Sequence, residues 1–219
     1  MERLRLLYRD AYLVVVDKPS GLLSHRGWGR DRETVLSRTR DMLGQWVHLP
    51  HRLDRATSGA MVVALDEQTL RRMMQRFEAG EVNKQYLALV RGQPPERGSI
   101  DHPIRPPGRQ ARLAAVTDFE RLGCSPRERC SLVRAWPRTG RPHQIRRHLK
   151  HISHPLIGDT RYGDGKVNRH YRAGYGLHRL ALHAERLAFE HPVSGERIDV
   201  RCPLPPDLSE VLEALGLEV

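Results

Sequence analysis

His51-Arg52-Leu53-Asp54-Arg55-Ala56-Thr57-Ser58-Gly59 runs without a break into Ala60-Met61-Val62-Val63-Ala64-Leu65. The first nine residues set one carboxylate between two arginines and close on a Thr-Ser-Gly turn. The next six form an apolar run of strand length. Positive charge beside Asp54 favours the ionised form of its carboxyl. An ionised carboxylate at the mouth of a buried strand can act as base, nucleophile or charge stabiliser. Taken alone, the stretch fits equally a turn aspartate bonded to its own backbone. The rest of the chain has to decide.

Upstream, Leu4 to Leu7 and Tyr12 to Val16 read as short strands parted by the turn Arg9-Asp10. Asp17-Lys18-Pro19-Ser20-Gly21 then forces a change of direction. Leu22 to Arg32, with Gly27, Trp28 and Gly29, reads as a loop, and Glu33 to Leu43 as a helix stopped by Gly44. Downstream of the opening stretch, Asp66 is placed to cap a helix that carries Leu70, Met73, Met74 and Phe77 as its apolar stripe and ends at Gly80. Gln85 to Val90 is the next strand. Residues Arg91 to Arg112 are rich in Pro, Gly and Arg and read as a long, flexible connection with edge pairing.

Ala114 to Leu122 and Cys130 to Trp136 pair as strands around the turn Gly123 to Arg129. In the following helix Pro142 suits the first turn, and Ile145, Leu149 and Ile152 share one face. Arg146 and Lys150 fall roughly opposite, so that side is expected to present charge. Gly158 to Arg169 reads as a polar, Gly-rich surface loop within the segment Pro155 to Tyr175. Leu180 to Glu190 and Glu196 to Cys202 make a hairpin, and Leu208 to Leu217 a short acidic helix. The expectation is an α+β fold: residues 1–219 as a single domain, with a mixed, mostly antiparallel sheet flanked by helices and loops.

The chain has 219 residues and a formal net charge of +11. Only four of its 37 basic residues are lysines, Lys18, Lys84, Lys150 and Lys166. Arginine's planar fork suits phosphate and base edges, and an excess of this kind predicts a polyanionic partner with salt-sensitive affinity. Cys124, Cys130 and Cys202 match no zinc or redox spacing and read as reduced thiols of an intracellular, cytoplasmic protein. No signal peptide or membrane span is expected.

Several other chemistries find no support. His143 and His148 are five apart, about 140° around a helix, and not the same-face pair of a zincin. Gly158 to Gly165 lacks the P-loop and dinucleotide patterns. No G-x-S-x-G elbow exists for a serine hydrolase. Tyr86, two residues after Lys84, can stack on a base; as a strand tyrosine it needs no such role.

Five stretches in order resemble the RluA-type pseudouridine synthases: Val14 to His25, His51 to Gly59, Lys84 to Ala88, Thr139 to Leu149 with Gly158-Asp159, and Leu177 to Glu196. The loop at Gly158 to Arg169 and the helix ending Arg-Arg-His-Leu are most similar to the branch that modifies uridine 65 of tRNA. The resemblance implies an isomerase that breaks a uridine's glycosidic bond, turns the base and rejoins it through carbon 5. It implies neither metal nor cofactor, an RNA substrate and no obligate protein partner, with the chain acting as a monomer. Asp54 would be the essential carboxylate. Tyr86 would stack on the uracil, and Arg146 would pair with Asp54. Arg55 would hold the flipped nucleotide and Leu182 would wall the pocket. Arg52, Lys84, Arg147 and Lys150 complete the expected RNA contacts.

Two departures stand out. Pro142 occupies a place where the family usually has Thr or Lys, and the block between Tyr86 and Arg146 is short for the tRNA-65 branch. No S4-type domain is expected, so RNA affinity would come from the catalytic domain. Ribosomal RNA as substrate, and a non-catalytic RNA-binding module, are the competing readings.

Overall fold

A computed structural model describes residues 3–26 and 33–218 of the chain. The elements run β1 (Arg5–Arg9), β2 (Leu13–Lys18), α1 (Val35–Leu43), β3 (Ser58–Ala64), α2 (Glu67–Ala79), β4 (Asn83–Arg91), β5 (Arg97–Asp101), β6 (Val116–Cys124), β7 (Cys130–Pro137), α3 (Gln144–His151), α4 (Gly165–Tyr175), β8 (Leu182–Glu190), β9 (Arg197–Arg201) and α5 (Pro206–Ala214). This is the α+β class expected, with each of the ladders β1–β2, β2–β3, β4–β7, β5–β6, β6–β7 and β8–β9 antiparallel. The chain divides into two compact units. One takes the residues up to Lys84 with Ala184–Pro203; the other takes Gln85–His183 with the residues from Leu204 onward.

In the first unit β2 lies between β1 and β3, Val15 opposite Val62. Every residue of β3 is buried, which is why the segment reads as a continuous apolar run rather than an alternating one. Leu13, Val15, Ala60, Val62, Met73, Val82, Leu187 and Phe189 belong to its core. Gly59 opens β3 at φ 116°, and a Cβ there would lie 2.3 Å from the Ala184 carbonyl oxygen. Backbone conformation and close approach both demand glycine. Asp66 caps α2 through its carboxylate and the Thr69 N–H at 2.7 Å, and Gly80 closes the helix. Met73 is buried as expected; Met74 is 41% exposed and leaves the stripe.

The second unit has β7 between β4 and β6, with β5 on the outer side of β6. β5 is the edge pairing foreseen in the long connection. Its core gathers Leu87, Leu89, Leu132, Ile157, Tyr171, Val211 and Leu215. The segment read as a loop departs from expectation: Gly165–Tyr175 is helical, started by Asp164 accepting from the N–H groups of Lys166 and Val167. Val167, Tyr171 and Tyr175, spaced four apart, turn one side of α4 towards the core. The terminal helix starts two residues early, with Pro206 in its first turn. Pro142 lies ahead of α3, whose N-cap is His143, and Ile152 is its C-cap.

The Gly27-Trp28-Gly29 part of the expected loop lies outside the described residues. Among the described residues no disulfide forms, and no helix is long and apolar enough to cross a membrane.

Candidate active site

Asp54 stands four residues before β3, half-buried, on a loop held by its main chain. The Ser24 hydroxyl donates to the Leu53 carbonyl at 2.8 Å, and the Leu53 N–H donates back to Ser24 Oγ at 3.1 Å. The Lys18 ammonium, fully buried, donates to the carbonyls of Pro19 and Arg55, each at 3.0 Å. Ser20 Oγ donates to the Ala56 carbonyl at 2.8 Å, and the Gly21 N–H to the Arg55 carbonyl at 2.8 Å. The Thr57 N–H closes the turn on the Asp54 carbonyl at 3.0 Å. The segment 18–24 therefore clamps residues 53–56 through a run of carbonyls, and the carboxylate of Asp54 is presented from a fixed backbone.

His51 anchors the other side of the loop. Its Nε2 accepts the Val62 N–H at 2.9 Å, and its ring stacks on Phe77 with centroids 4.5 Å apart. Burial, then the Lys84 charge, push its pKa down to about 3. The ring is thus neutral at pH 7, with its proton on Nδ1, because Nε2 is the acceptor. Burial also lowers the pKa of the Lys84 ammonium. Arg52 and Arg55 are exposed, and Arg55 Nε donates to the Gly21 carbonyl at 2.9 Å.

Tyr86 is half-buried on β4, paired with Ala135 of β7. The neighbouring Gln85 is buried and accepts the Trp136 indole N–H at 3.1 Å. Leu182, at the start of β8, is buried.

Arg146 requires a correction. Periodicity set it on a charged outer face with Lys150, yet it is 9% exposed while Lys150 is exposed. The cause is Asp159, 1% exposed, which takes Arg146 Nε at 2.8 Å and Nη2 at 2.9 Å. Asp159 also accepts the N–H groups of Arg161 and Tyr162. Burial pushes its carboxyl pKa up, and these bonds from Arg146 and the backbone outweigh that and hold it low. A bidentate, backbone-supported pair is the arrangement in which a buried guanidinium is tolerated. Arg147 is half-buried and donates to the Arg105 carbonyl at 2.8 Å.

Sequence reading assigned no role to Lys18, Ser24, His51 or Asp159. The signal for Lys18 was a lysine ending an apolar strand beside Pro19. For Asp159 it was the Gly158-Asp159 pair that belongs to the fourth of the five resembling stretches. His148 is fully buried and bonded to the Thr117 hydroxyl and the His102 carbonyl, each at 2.9 Å.

Residues 12–151 match the RNA pseudouridylate synthase family. The chain belongs to that family and is an isomerase, a pseudouridine synthase. It is 43% identical over 220 residues to the tRNA pseudouridine synthase C of Pasteurella multocida, covering 90% of each chain. To the protein of the same name in Haemophilus ducreyi it is 41% identical, covering 97% of this chain and 96% of the relative. The solved structure of human RNA Pseudouridylate Synthase Domain Containing 4 superposes with a TM-score of 0.80 at 27% identity, covering 98% of this chain and 94% of that one.

Proposed function

We propose that the chain converts uridine to pseudouridine in tRNA, at uridine 65, with Asp54 as the essential carboxylate. The observation that carries the choice of RNA is the similarity, across nine-tenths of both chains, to a protein named for tRNA. The two units act as one catalytic domain, a reading supported by a family match that runs from the first into the second. The enzyme works as a cytoplasmic monomer.

In this reaction the bond from ribose carbon 1 to N1 breaks and one to carbon 5 forms. Carbon 5 loses its proton and N1 gains one, so substrate and product are isomers and no oxidant or reductant is consumed. The target base must leave its stack to meet a carboxylate. Asp54, held by its main chain, supplies that group without reorganising at the moment of reaction. Tyr86 stacks on the uracil, Leu182 gives an apolar wall, and Arg146 supplies positive charge for the ionised carboxylate. Arg52, Arg55, Lys84, Arg147 and Lys150 engage the RNA backbone, with Arg55 beside the flipped nucleotide.

The test is release of tritium from tRNA labelled at carbon 5 of uridine, together with carbodiimide mapping of tRNA and ribosomal RNA from cells with and without the gene. Asp54→Asn is expected to abolish release and keep RNA binding. A modification lost only from ribosomal RNA overturns the tRNA reading. No release by the pure protein on tRNA or ribosomal RNA favours a binding module.

A further inference from the structure

Tyr162 joins Arg146 to features of the second unit that the proposed reaction leaves unused. The Arg146 guanidinium carbon lies 5.1 Å from the centre of the Tyr162 ring. The Tyr162 hydroxyl is 2.9 Å from His143 Nδ1. His143 is the N-cap of α3, the helix that carries Arg146, and its backbone is left-handed at φ 55° without a side-chain cap bond. A non-glycine residue in that conformation is held there by its surroundings and is a common mark of a functional site. Here the conformation directs the imidazole to the hydroxyl of Tyr162.

The result is a closed circuit. Asp159 grips Arg146 along the edge formed by Nε and Nη2, and the N–H of Tyr162 itself donates to Asp159 Oδ1 at 3.0 Å. The carboxylate holds two nitrogens of the guanidinium along one edge, and the ring, with the guanidinium carbon over it, is a second contact that holds the group. A second guanidinium, that of Arg161, approaches the same ring at 5.5 Å. The electron-rich ring face is what such cations are drawn to, and the hydroxyl bond to His143 keeps the ring from turning away. The backbone at the start of α3, the ring and the guanidinium are thus set together.

We infer that Tyr162, with its hydroxyl held by His143, is a positioning residue that holds the Arg146 guanidinium in place for the isomerisation. This rests on the role proposed for Arg146. Orientation fixed before the substrate arrives need not be acquired on the way to the transition state, so the effect belongs in kcat and not in RNA affinity.

The experiment is a cycle of Tyr162→Leu and Arg146→Lys, read as kcat and KM for tritium release from tRNA, with thermal midpoints for every protein. Tyr162→Leu is expected to lower kcat about 10- to 100-fold with KM within about threefold. Tyr162→Phe, which keeps the ring and frees it from His143, is expected to fall between the wild type and Tyr162→Leu in kcat. In the Arg146→Lys background, Tyr162→Leu adds little, because the group it positions is already gone. Equal losses from Tyr162→Leu in both backgrounds, or a rise in KM at constant kcat, overturn the inference and leave Arg146 its role. Wild-type turnover by Arg146→Lys overturns the role of Arg146 and the inference with it. If Tyr162→Leu does not fold, Tyr162→Phe decides: a kcat lowered about three- to tenfold at unchanged KM supports the inference, and a wild-type kcat overturns it.

Discussion

Ser24 and Leu53 hold each other in both directions: the hydroxyl donates to the Leu53 carbonyl at 2.8 Å and accepts the Leu53 N–H at 3.1 Å. One side chain satisfies both main-chain groups of the residue before Asp54, and it does so in a buried setting.

Replacing that hydroxyl strands two buried backbone groups at once. Ser24→Ala is expected to cost about 1–3 kcal/mol in urea unfolding. Its larger effect is on kcat, because the backbone that presents Asp54 loses its nearest tie. A variant with reduced stability and normal kcat at low temperature would separate the clamp from catalysis.

His51 predicts a specific acid limb. Its folded pKa of about 3 lies below the ordinary value of 6.5, so the unfolded chain binds the extra proton first. The stability that neutral His51 provides is present above about pH 6.5 and drains away as pH falls towards 3. His51→Leu is expected to be less stable at pH 7 by about 1–3 kcal/mol, since the Val62 N–H loses its acceptor. Between pH 6.5 and 4 it should lose less further stability than the wild type. Parallel curves in that window would show that His51 does not titrate on unfolding.

Asp159→Ala leaves the Arg146 guanidinium buried without the carboxylate that grips two of its nitrogens. The expected cost is about 3–5 kcal/mol, well above that of a surface pair. Chemical denaturation checks the value, and Arg71→Ala, which breaks the exposed Arg71–Glu67 pair, serves as the comparison at about 0–1 kcal/mol.

The charge of +11 predicts RNA binding that weakens steeply with salt. Between 50 and 200 mM salt, affinity should fall by about a thousandfold if six or more phosphates are neutralised. Filter binding of Asp54→Asn to tRNA measures this without turnover. A flat dependence would mean that base and shape contacts dominate.

The elements written in local signals were legible in the sequence. α2 announced itself through Asp66, a periodic stripe and Gly80; β3 through six apolar residues after a Ser-Gly pair. α4 was not, because Gly165, Lys166, Asn168, Arg169 and His170 read as loop; the Val167–Tyr171–Tyr175 spacing that turns it inward is carried by only three residues. Arg146 was misplaced for a different reason. Helical period can say which face a residue occupies, but its burial depends on Asp159, which follows 13 residues later and leaves no periodic trace. Buried Lys18 belongs to the same class: its partners are the carbonyls of Pro19 and Arg55, and carbonyls are identical in every residue type. Asp54 was singled out through a resemblance spread over five ordered stretches, since its own nine residues fit a turn aspartate as well.

The clamp on residues 53–56 grips carbonyls and N–H groups, and the Arg55 side chain joins it from the loop. Carbonyls are the same in every residue type and N–H groups in all but proline, so the course of this loop is tied to Lys18, Ser20 and Ser24, and exchanges in that earlier segment should disturb residues 53–56 from about thirty positions away in the chain.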